Sequence, residues 1–370
     1  MVKTRKVCVE DIDKNFKAST GKQSLQWIDA FDRRLALRGF AWAAENQKHK
    51  NFRRLPDRMV AGLSEAVQSL SHQPSSGFLS FFATTSDLSV RMTVEDTAQM
   101  NHMPATGMAG AELYFRDGSV WVPAGTAIPS QTEVSFTRAL IENGPKVRRE
   151  YRLYLPLYKK LESLALGFSS GAKVSAVPAP KGSKPIFFYG TSITQGGCAS
   201  TAGSDFVSTV GRLLDTEVIN FGFSGSGRGE PEVARLIRKV DAEMFILDFQ
   251  ANAVVETLDK VLPEFIRLLR EKHPTTPLVL VGNPGYDQRL RGAEARDRID
   301  RKRDIGMTVY LEKKAGGDRA IHFIDGYGLL PGGLSGATVD GVHPTSHGFA
   351  IMAERLAPQL RAIRLQRAFD

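Results

Sequence analysis

The chain has 370 residues, of which 42% are hydrophobic and 24% charged, a composition typical of soluble globular proteins and a length that predicts two domains. It contains no run of about 18 apolar residues, so we predict no transmembrane helix and no membrane partner. The N-terminus lacks the apolar segment of a secretory signal, and two cysteines, Cys8 and Cys198, are too few for a disulfide framework. We therefore expect a cytoplasmic protein.

The net charge of +9 is concentrated in the N-terminal half, where residues 1–180 hold 24 Lys and Arg against 17 Asp and Glu. A basic surface of this kind attracts nucleic acid when a binding motif accompanies it, but the sequence shows no such motif. We interpret the basic residues as solvated surface and predict no nucleic-acid partner.

Short β-strands dominate the first half of the chain from Gly77 onward. Residues 88–94 alternate apolar and polar side chains, as a half-buried strand does, and Asp117-Gly118 and Asn143-Gly144 are turn signals. The predicted strands are 78–82, 88–94, 111–115, 120–122, 133–136, 149–155 and 161–168. Short strands at this spacing predict a β-sandwich, jelly-roll-like domain, which we assign to residues 1–178.

A Pro- and Gly-rich linker over residues 176–185 separates this region from a second pattern, in which apolar strands alternate with helical segments. The predicted strands are 186–189, 218–223, 244–249, 278–282 and 321–324. The helical segments between and after them are 206–214, 232–240, 253–272, 291–313 and 348–364. This alternation predicts an α/β domain over residues 179–370, with a parallel sheet covered on both faces.

Ser192 is the first candidate for chemistry. The apolar run 186–189 ends in Gly190-Thr191-Ser192, which would place the serine at the C-terminal edge of a parallel sheet, where open α/β folds have their sites. A helix N-cap is an equally good account of this serine when it is considered alone.

A nucleophilic serine also needs a base, an orienting group and oxyanion donors. Asp340 and His343 lie three residues apart in a loop between the last strand and the last helix, so the carboxylate can hold one ring nitrogen while the other faces Ser192. The glycine-rich end of the second strand, residues 222–227, and the Asn252 amide after the third strand are candidate oxyanion donors.

These blocks, in this order, resemble the SGNH (GDSL-like) hydrolase superfamily, and in particular its branch with an N-terminal β-sandwich. The residues that carry the resemblance are Gly190-Thr-Ser-Ile-Thr-Gln-Gly-Gly-Cys-Ala-Ser200 and Asn220-Phe-Gly-Phe-Ser-Gly-Ser-Gly-Arg228. Gly110-Ala-Glu112-Leu-Tyr114 resembles the Gly-x-Asp-Leu-Tyr signature of that branch, with Glu in place of Asp. The resemblance implies a flavodoxin-like three-layer α/β/α domain with a five-stranded parallel sheet.

The resemblance also implies roles for single residues and no cofactor. Ser192 would be the nucleophile and its own N–H an oxyanion donor, together with the N–H of Gly225 and the amide of Asn252. Asp340 and His343 would complete the triad. Two positions depart from the family pattern: Ala253 replaces the Asp that usually follows Asn252, and Thr201 replaces an Arg found in some relatives.

Competing motifs are weaker. The glycines of Gly225-Ser-Gly227-Arg-Gly229 do not have the spacing of a dinucleotide-binding loop. Asp340, His343 and His347 have donor types that suit a metal, but Pro344 would keep His343 off the helix that carries His347, so we predict no metal site.

We therefore predict a serine esterase that removes a short acyl group, such as acetyl, from a sugar, polyol or other small molecule. An acyltransferase with the same triad is the alternative, and a carbohydrate-binding protein with a degenerate hydrolase domain is a third reading. Tyr114, His102 and Tyr286 are candidates for lining the substrate pocket. Three roles stay open for the N-terminal domain: completing the pocket, binding ligand separately, or mediating a homo-oligomer.

Overall fold

A computed structural model describes residues 9–13, 16–21, 24–285 and 287–369. Two residues named above, Cys8 and Tyr286, lie outside the described residues. None of the described helices is both long and apolar enough to cross a bilayer.

The first part of the chain forms two antiparallel sheets. The strands are β1 Gln26–Asp29, β2 Ala36–Arg38, β3 Phe78–Thr84, β4 Leu88–Val94, β5 Ala111–Asp117, β6 Val120–Ala127, β7 Ser135–Ile141, β8 Arg148–Tyr154, β9 Leu161–Phe168 and β10 Lys173–Ala176. One sheet has the order β1-β9-β4-β7 and the other β10-β3-β8-β5-β6, with β2 paired to β3. The apolar side chains of β4 are buried and Arg91 is exposed. The alternating pattern therefore directs one face of this strand into the hydrophobic core.

The second part forms a five-stranded parallel sheet. Its strands are β11 Ile186–Gly190, β12 Val218–Gly222, β13 Met244–Asp248, β14 Leu278–Val281 and β15 Ile321–Ile324, in the order β12-β11-β13-β14-β15. Every residue of β11, β12 and β13 is buried, as expected for strands covered on both faces. This strand order is the flavodoxin-like one, and it confirms the predicted fold class.

Helices cover both faces of the parallel sheet. The described helices are α1 Val9–Ile12, α2 Ala43–His49, α3 Glu65–Leu70, α4 Ala105–Met108, α5 Ser192–Gln195, α6 Phe206–Leu213, α7 Pro231–Ile237, α8 Leu258–Arg270, α9 Ala293–Ala315, α10 Gly326–Leu329 and α11 Ser346–Phe369, with 3₁₀ turns at Asp57–Met59 and Asp287–Leu290. Helices α6 and α11 pack on one face. Helices α7, α8 and α9 pack on the other face.

Residues 41–70 belong to the sequence of the predicted N-terminal domain but pack on the parallel sheet. Leu55, Leu63 and Val67 join the same apolar cluster as Phe221 of β12 and the α7–α8 side chains. The sequence prediction missed α2 and α3 in this segment, because their few apolar residues do not repeat at helical spacing over a long enough window. It also predicted no strand at β10, whose last residue, Ala176, it had placed in the linker.

Arg54 anchors this segment to the sheet. Its side chain is 1% exposed and its guanidinium lies over the Phe223 ring, 4.6 Å from the centroid. It donates to four backbone carbonyl oxygens: Gln73 at 2.8 Å, Leu70 at 2.7 Å, Asn220 at 3.2 Å and Gly222 at 2.5 Å. One buried side chain therefore satisfies acceptors on both sides of the contact.

We predict that Arg54→Met lowers the free energy of unfolding by about 2–4 kcal/mol, because buried carbonyl oxygens lose their donors. Urea denaturation followed by tryptophan fluorescence measures the change. The neighbouring Arg53 pairs with Asp57 near the surface, so Arg53→Met is the control and should cost less than about 1 kcal/mol. Equal losses in the two variants would contradict this role for Arg54.

Candidate active site

Strand β11 ends in a tight turn that presents Ser192. Thr191 is the N-cap of α5: its Oγ1 accepts from the Ile193 N–H at 3.2 Å, and Thr194 Oγ1 accepts from the Thr191 N–H at 3.2 Å. The N-cap role considered for Ser192 therefore belongs to Thr191. A Cβ on Gly190 would lie 2.0 Å from Thr194 Oγ1, so only glycine fits where the strand enters this turn.

Ser192, His343 and Asp340 form a continuous hydrogen-bonded chain. Ser192 Oγ lies 2.9 Å from His343 Nε2, and His343 Nδ1 lies 2.7 Å from Asp340 Oδ2. With the ring proton on Nδ1 and donated to Asp340, Nε2 is free to accept the serine proton. This is the geometry that a nucleophile, a base and an orienting carboxylate require.

Asp340 is fixed from several directions. Its Oδ1 accepts from the N–H groups of Val342 at 2.9 Å and His343 at 2.8 Å. Burial alone would raise the pKa of Asp340, but the hydrogen bonds from the His343 ring and these two N–H groups outweigh it and lower the pKa to about 2. The carboxylate therefore stays charged beside the imidazole throughout the neutral range.

Gly225 and Asn252 lie on the cavity that contains Ser192 and His343, which has a volume of about 370 Å³. Gly225 has φ +67°, a left-handed conformation that favours glycine, and open space surrounds the position of a Cβ. Asn252 Nδ2 makes one long contact, 3.5 Å to the Phe223 carbonyl oxygen, which leaves it with donor capacity for a ligand. The structure thus gathers the predicted donors beside the serine, and their role as oxyanion donors stays a prediction.

Three buried polar residues that the sequence reasoning missed hold these loops. Gln195 Oε1 accepts from the Ser224 N–H at 2.9 Å, next to Gly225, and Asn220 Nδ2 donates to the Thr194 carbonyl at 2.6 Å. Tyr158, in the loop between β8 and β9, donates to the Ser192 carbonyl oxygen at 3.2 Å. Asn220 carried a signal, since a lone amide in a fully apolar strand needs a buried partner.

His102, a candidate for lining the substrate pocket, lies beside the triad but is not among the residues that line the cavity. Its ring centroid is 5.8 Å from that of His343. The ligand atoms of His102, Cys198 and His343 all lie within 4.8 Å of one another, whereas the sequence had suggested Asp340 and His347 as partners of His343. A metal held by these three would have to break a triad hydrogen bond, because both ring nitrogens of His343 are engaged.

Tyr114 is the predicted pocket residue that the structure places elsewhere. It is buried in the contact between the two parts of the chain, edge-on to Tyr154 and beneath the Arg212 guanidinium at 4.2 Å. Glu112, from the same signature, accepts from the Gly203 N–H at 2.9 Å. The signature thus holds the loop that follows the serine block instead of lining the cavity. Tyr286, the remaining candidate, lies outside the described residues.

A larger cavity of about 580 Å³ lies beside the linker. Most of its charged side chains form ion pairs, for example Arg116 with Asp215 at 2.9 Å and Arg364 with Glu243 at 2.5 Å. Because most of its cations are paired with carboxylates in this way, the smaller cavity that contains Ser192 is the candidate active site.

Two family profiles match the chain. Residues 183–361 match the GDSL-like Lipase/Acylhydrolase family. Residues 25–174 match the GxDLY family, the N-terminus of Esterase_SGNH_hydro-type. No protein with a curated description matches the chain.

Solved structures share the fold over most of the chain. A protein of Bacteroides ovatus assigned as a GDSL-like lipase is 28% identical, with a TM-score of 0.85 over 92% of this chain and 98% of that one. The salicylyl-acyltransferase SsfX3 from a tetracycline biosynthetic pathway is 19% identical, with a TM-score of 0.72 over the same shares. A family two carbohydrate esterase from Clostridium thermocellum, in complex with cellohexaose, is 16% identical, with a TM-score of 0.57 over 78% and 92%. The last two show the fold alone.

Asp340→Asn should lower kcat/KM for an ester by about 10²- to 10⁴-fold, because the amide no longer fixes the His343 tautomer or stabilises the imidazolium. Initial rates between pH 6 and pH 9 measure the loss. Asp297→Asn, an exposed position on α9, is the control for removal of a negative charge and should change the rate less than about twofold. A full rate in Asp340→Asn would contradict the role of Asp340.

Asp248 gives a prediction about pH. It accepts from Thr194 Oγ1 at 2.8 Å, beneath the serine turn, and burial raises its pKa from 3.8 to about 7 against the lowering effect of that hydrogen bond. A raised pKa means that the folded state prefers the protonated carboxyl, so this contribution to stability is complete below pH 3.8 and is lost as the pH rises through about 7.

Asp248→Asn keeps a neutral side chain at every pH. Its stability relative to wild type should therefore increase by about 2–4 kcal/mol between pH 4 and pH 8. Urea denaturation at several pH values measures this difference, with the exposed Asp241→Asn as the control. A difference that does not change with pH would rule out the proposed titration of Asp248.

Proposed function

Because the chain belongs to the SGNH (GDSL-like) hydrolases, we propose that it is a serine esterase that removes a short acyl group, such as acetyl, from a sugar, polyol or other small molecule through an acyl-enzyme. The observation that carries this proposal is the hydrogen-bonded chain from Ser192 Oγ through His343 to Asp340, at the wall of a cavity that also contains Gly225 and Asn252.

Acylation begins at Ser192. Its Oγ attacks the ester carbonyl carbon while His343 Nε2 accepts the hydroxyl proton, and Asp340 stabilises the resulting imidazolium. The negative charge on the carbonyl oxygen is placed among the N–H groups of Ser192 and Gly225 and the Asn252 amide. The tetrahedral intermediate then collapses, and His343 gives its proton to the departing alcohol oxygen.

Deacylation repeats these steps with water. His343 Nε2 accepts a proton from a water molecule, whose oxygen attacks the acyl carbon, and Ser192 regains its proton as the acid leaves. The acyltransferase alternative differs only in the attacking group, which would be an alcohol. The exposure of the triad favours water, since the side chains of His343 and Asp340 are 25% and 40% exposed in the structure.

Two measurements test the proposal. A fluorophosphonate probe should label the wild-type chain at Ser192 and should not label Ser192→Ala. Wild type should hydrolyse p-nitrophenyl acetate at least about 10³-fold faster than Ser192→Ala, the scale expected when a triad member is removed. Ser204→Ala, a hydroxyl loss in the loop that follows the serine block, is the control and should retain labelling. Equal rates in wild type and Ser192→Ala would overturn the proposal.

Partition of the acyl group separates hydrolase from transferase. When glycerol or a sugar is added to the p-nitrophenyl acetate reaction, a hydrolase releases acetate as the main product, whereas a transferase forms the new ester. Quantifying both products gives the ratio directly. A predominance of the new ester at millimolar acceptor would favour the alternative.

A further inference from the structure

Helix α9 brings two cations to the cavity that contains Ser192. Arg298 and Lys302 are four residues apart, so they lie on one side of the helix, and both line this cavity. Among the described residues, no carboxylate is part of the cavity lining. Asp340, the carboxylate of the triad, is engaged with His343.

Within the described residues, Lys302 is a buried ammonium that forms no ion pair with a carboxylate. Lys302 is 7% exposed, and its Nζ donates to the Ala251 carbonyl oxygen at 2.7 Å. Two of the three N–H donors of the ammonium group are therefore left for other acceptors. Burial, with a smaller effect from Arg298, lowers the pKa of Lys302 to about 8, and Glu256 opposes this. The side chain is therefore mainly charged at neutral pH, in a place where an uncompensated charge is costly.

Arg298 also has no ion pair within the described part of the chain, although other arginines of the same region have one. Arg303 pairs with Asp325 at 2.7 Å, and Arg289 pairs with Asp300 at 2.7 Å. Asn283 lines the same cavity and is 3% exposed, and its buried Oδ1 atom accepts no hydrogen bond from the described residues. The wall thus holds unused donors for an anion and an unused acceptor for a hydroxyl or amide.

We propose that the ester hydrolysed at Ser192 carries a negatively charged group, such as a carboxylate, sulfate or phosphate, and that Lys302 and Arg298 bind this group. The inference rests on the proposed esterase function and adds the substrate class to it. Guanidinium and ammonium groups in a partly dehydrated site form strong, charge-assisted hydrogen bonds with such anions. Asn283 Oδ1 would accept from a hydroxyl or amide of the same substrate.

A different role for Lys302 would give a different result. If its charge acted on the developing oxyanion, its loss would slow every ester equally, because all esters form the same oxyanion. If it recognises a charge on the substrate, its loss slows anionic esters much more than neutral ones. The ratio of kcat/KM values for a matched pair of esters therefore separates the two roles.

The test uses two matched pairs of substrates. 4-Acetoxybenzoate and 4-acetoxybenzamide differ in a charge on the alcohol side, and phenyl hydrogen glutarate and phenyl glutaramate differ in a charge on the acyl side. Wild type should prefer the anionic member of at least one pair, and the responding pair identifies the side that carries the charge. Spectrophotometric release of the phenol, with the enzyme-free rate subtracted, gives kcat/KM.

Lys302→Met and Arg298→Gln should each lower the anionic-to-neutral ratio by about 10- to 100-fold, the range for the loss of one hydrogen bond to a charged group. Arg301→Gln removes a cation from an exposed position of the same helix and should leave the ratio unchanged. Circular dichroism and fluorophosphonate labelling show whether each variant is folded. Should Lys302→Met fail to fold, the exposed Arg298 still provides the test.

Besides an equal slowing of all esters by Lys302→Met, two outcomes would overturn the inference. A wild-type ratio near one for both pairs, with turnover that depends on Ser192, would remove the anionic substrate and leave the proposed esterase function intact. Turnover that is equal in wild type and Ser192→Ala would instead remove the proposed function, and this inference with it. The two failures are distinguishable because every ester is assayed with both proteins.

Discussion

The site depends on close backbone contact at the carboxyl edge of the parallel sheet. The carbonyl oxygen of Gly190 accepts from the Phe223 N–H at 3.0 Å, and a Cβ on Gly227 would lie 1.8 Å from that same oxygen. The loops after β11 and β12 can therefore touch only because glycines stand at the contact. This contact places the turn that carries Ser192 beside the loop that carries Gly225, before any side chain contributes to chemistry.

The parts of the structure that the sequence predicted are those with strong local patterns. Strand β4 was predicted with its observed bounds because its alternation is strict, and the strands of the parallel sheet were found as short apolar runs. Asp340 and His343 could be paired from their spacing alone, since three residues of loop bring a carboxylate to a ring nitrogen. The packing of residues 41–70 on the sheet was not predictable in this way, because it depends on a partner strand more than 150 residues further along the chain.

Tyr114 shows that a recognised motif does not reveal whether its side chains line the cavity. The resemblance identified the signature Gly110–Tyr114, and Tyr114 was a candidate for lining the substrate pocket, but its ring is buried against Tyr154 and Arg212. Glu112, which replaces the usual Asp, still reaches the Gly203 N–H at 2.9 Å. The cations of α9 were missed because they belong to no recognisable motif. On a helix rich in Arg, Lys and Asp, nothing in the sequence distinguishes Arg298 and Lys302 from residues that face solvent.

The anchoring of residues 41–70 by Arg54 has a consequence for how the protein is made. This segment leaves the ribosome early, yet the strand it covers, β12, and the helices beside it are synthesised well over a hundred residues later. During that interval its apolar side chains, Leu55, Leu63 and Val67, cannot yet pack against β12 or the helices beside it. Contacts between such distant parts of a chain are also slow to form. The two parts are therefore not interchangeable modules, because the first completes the surface of the second.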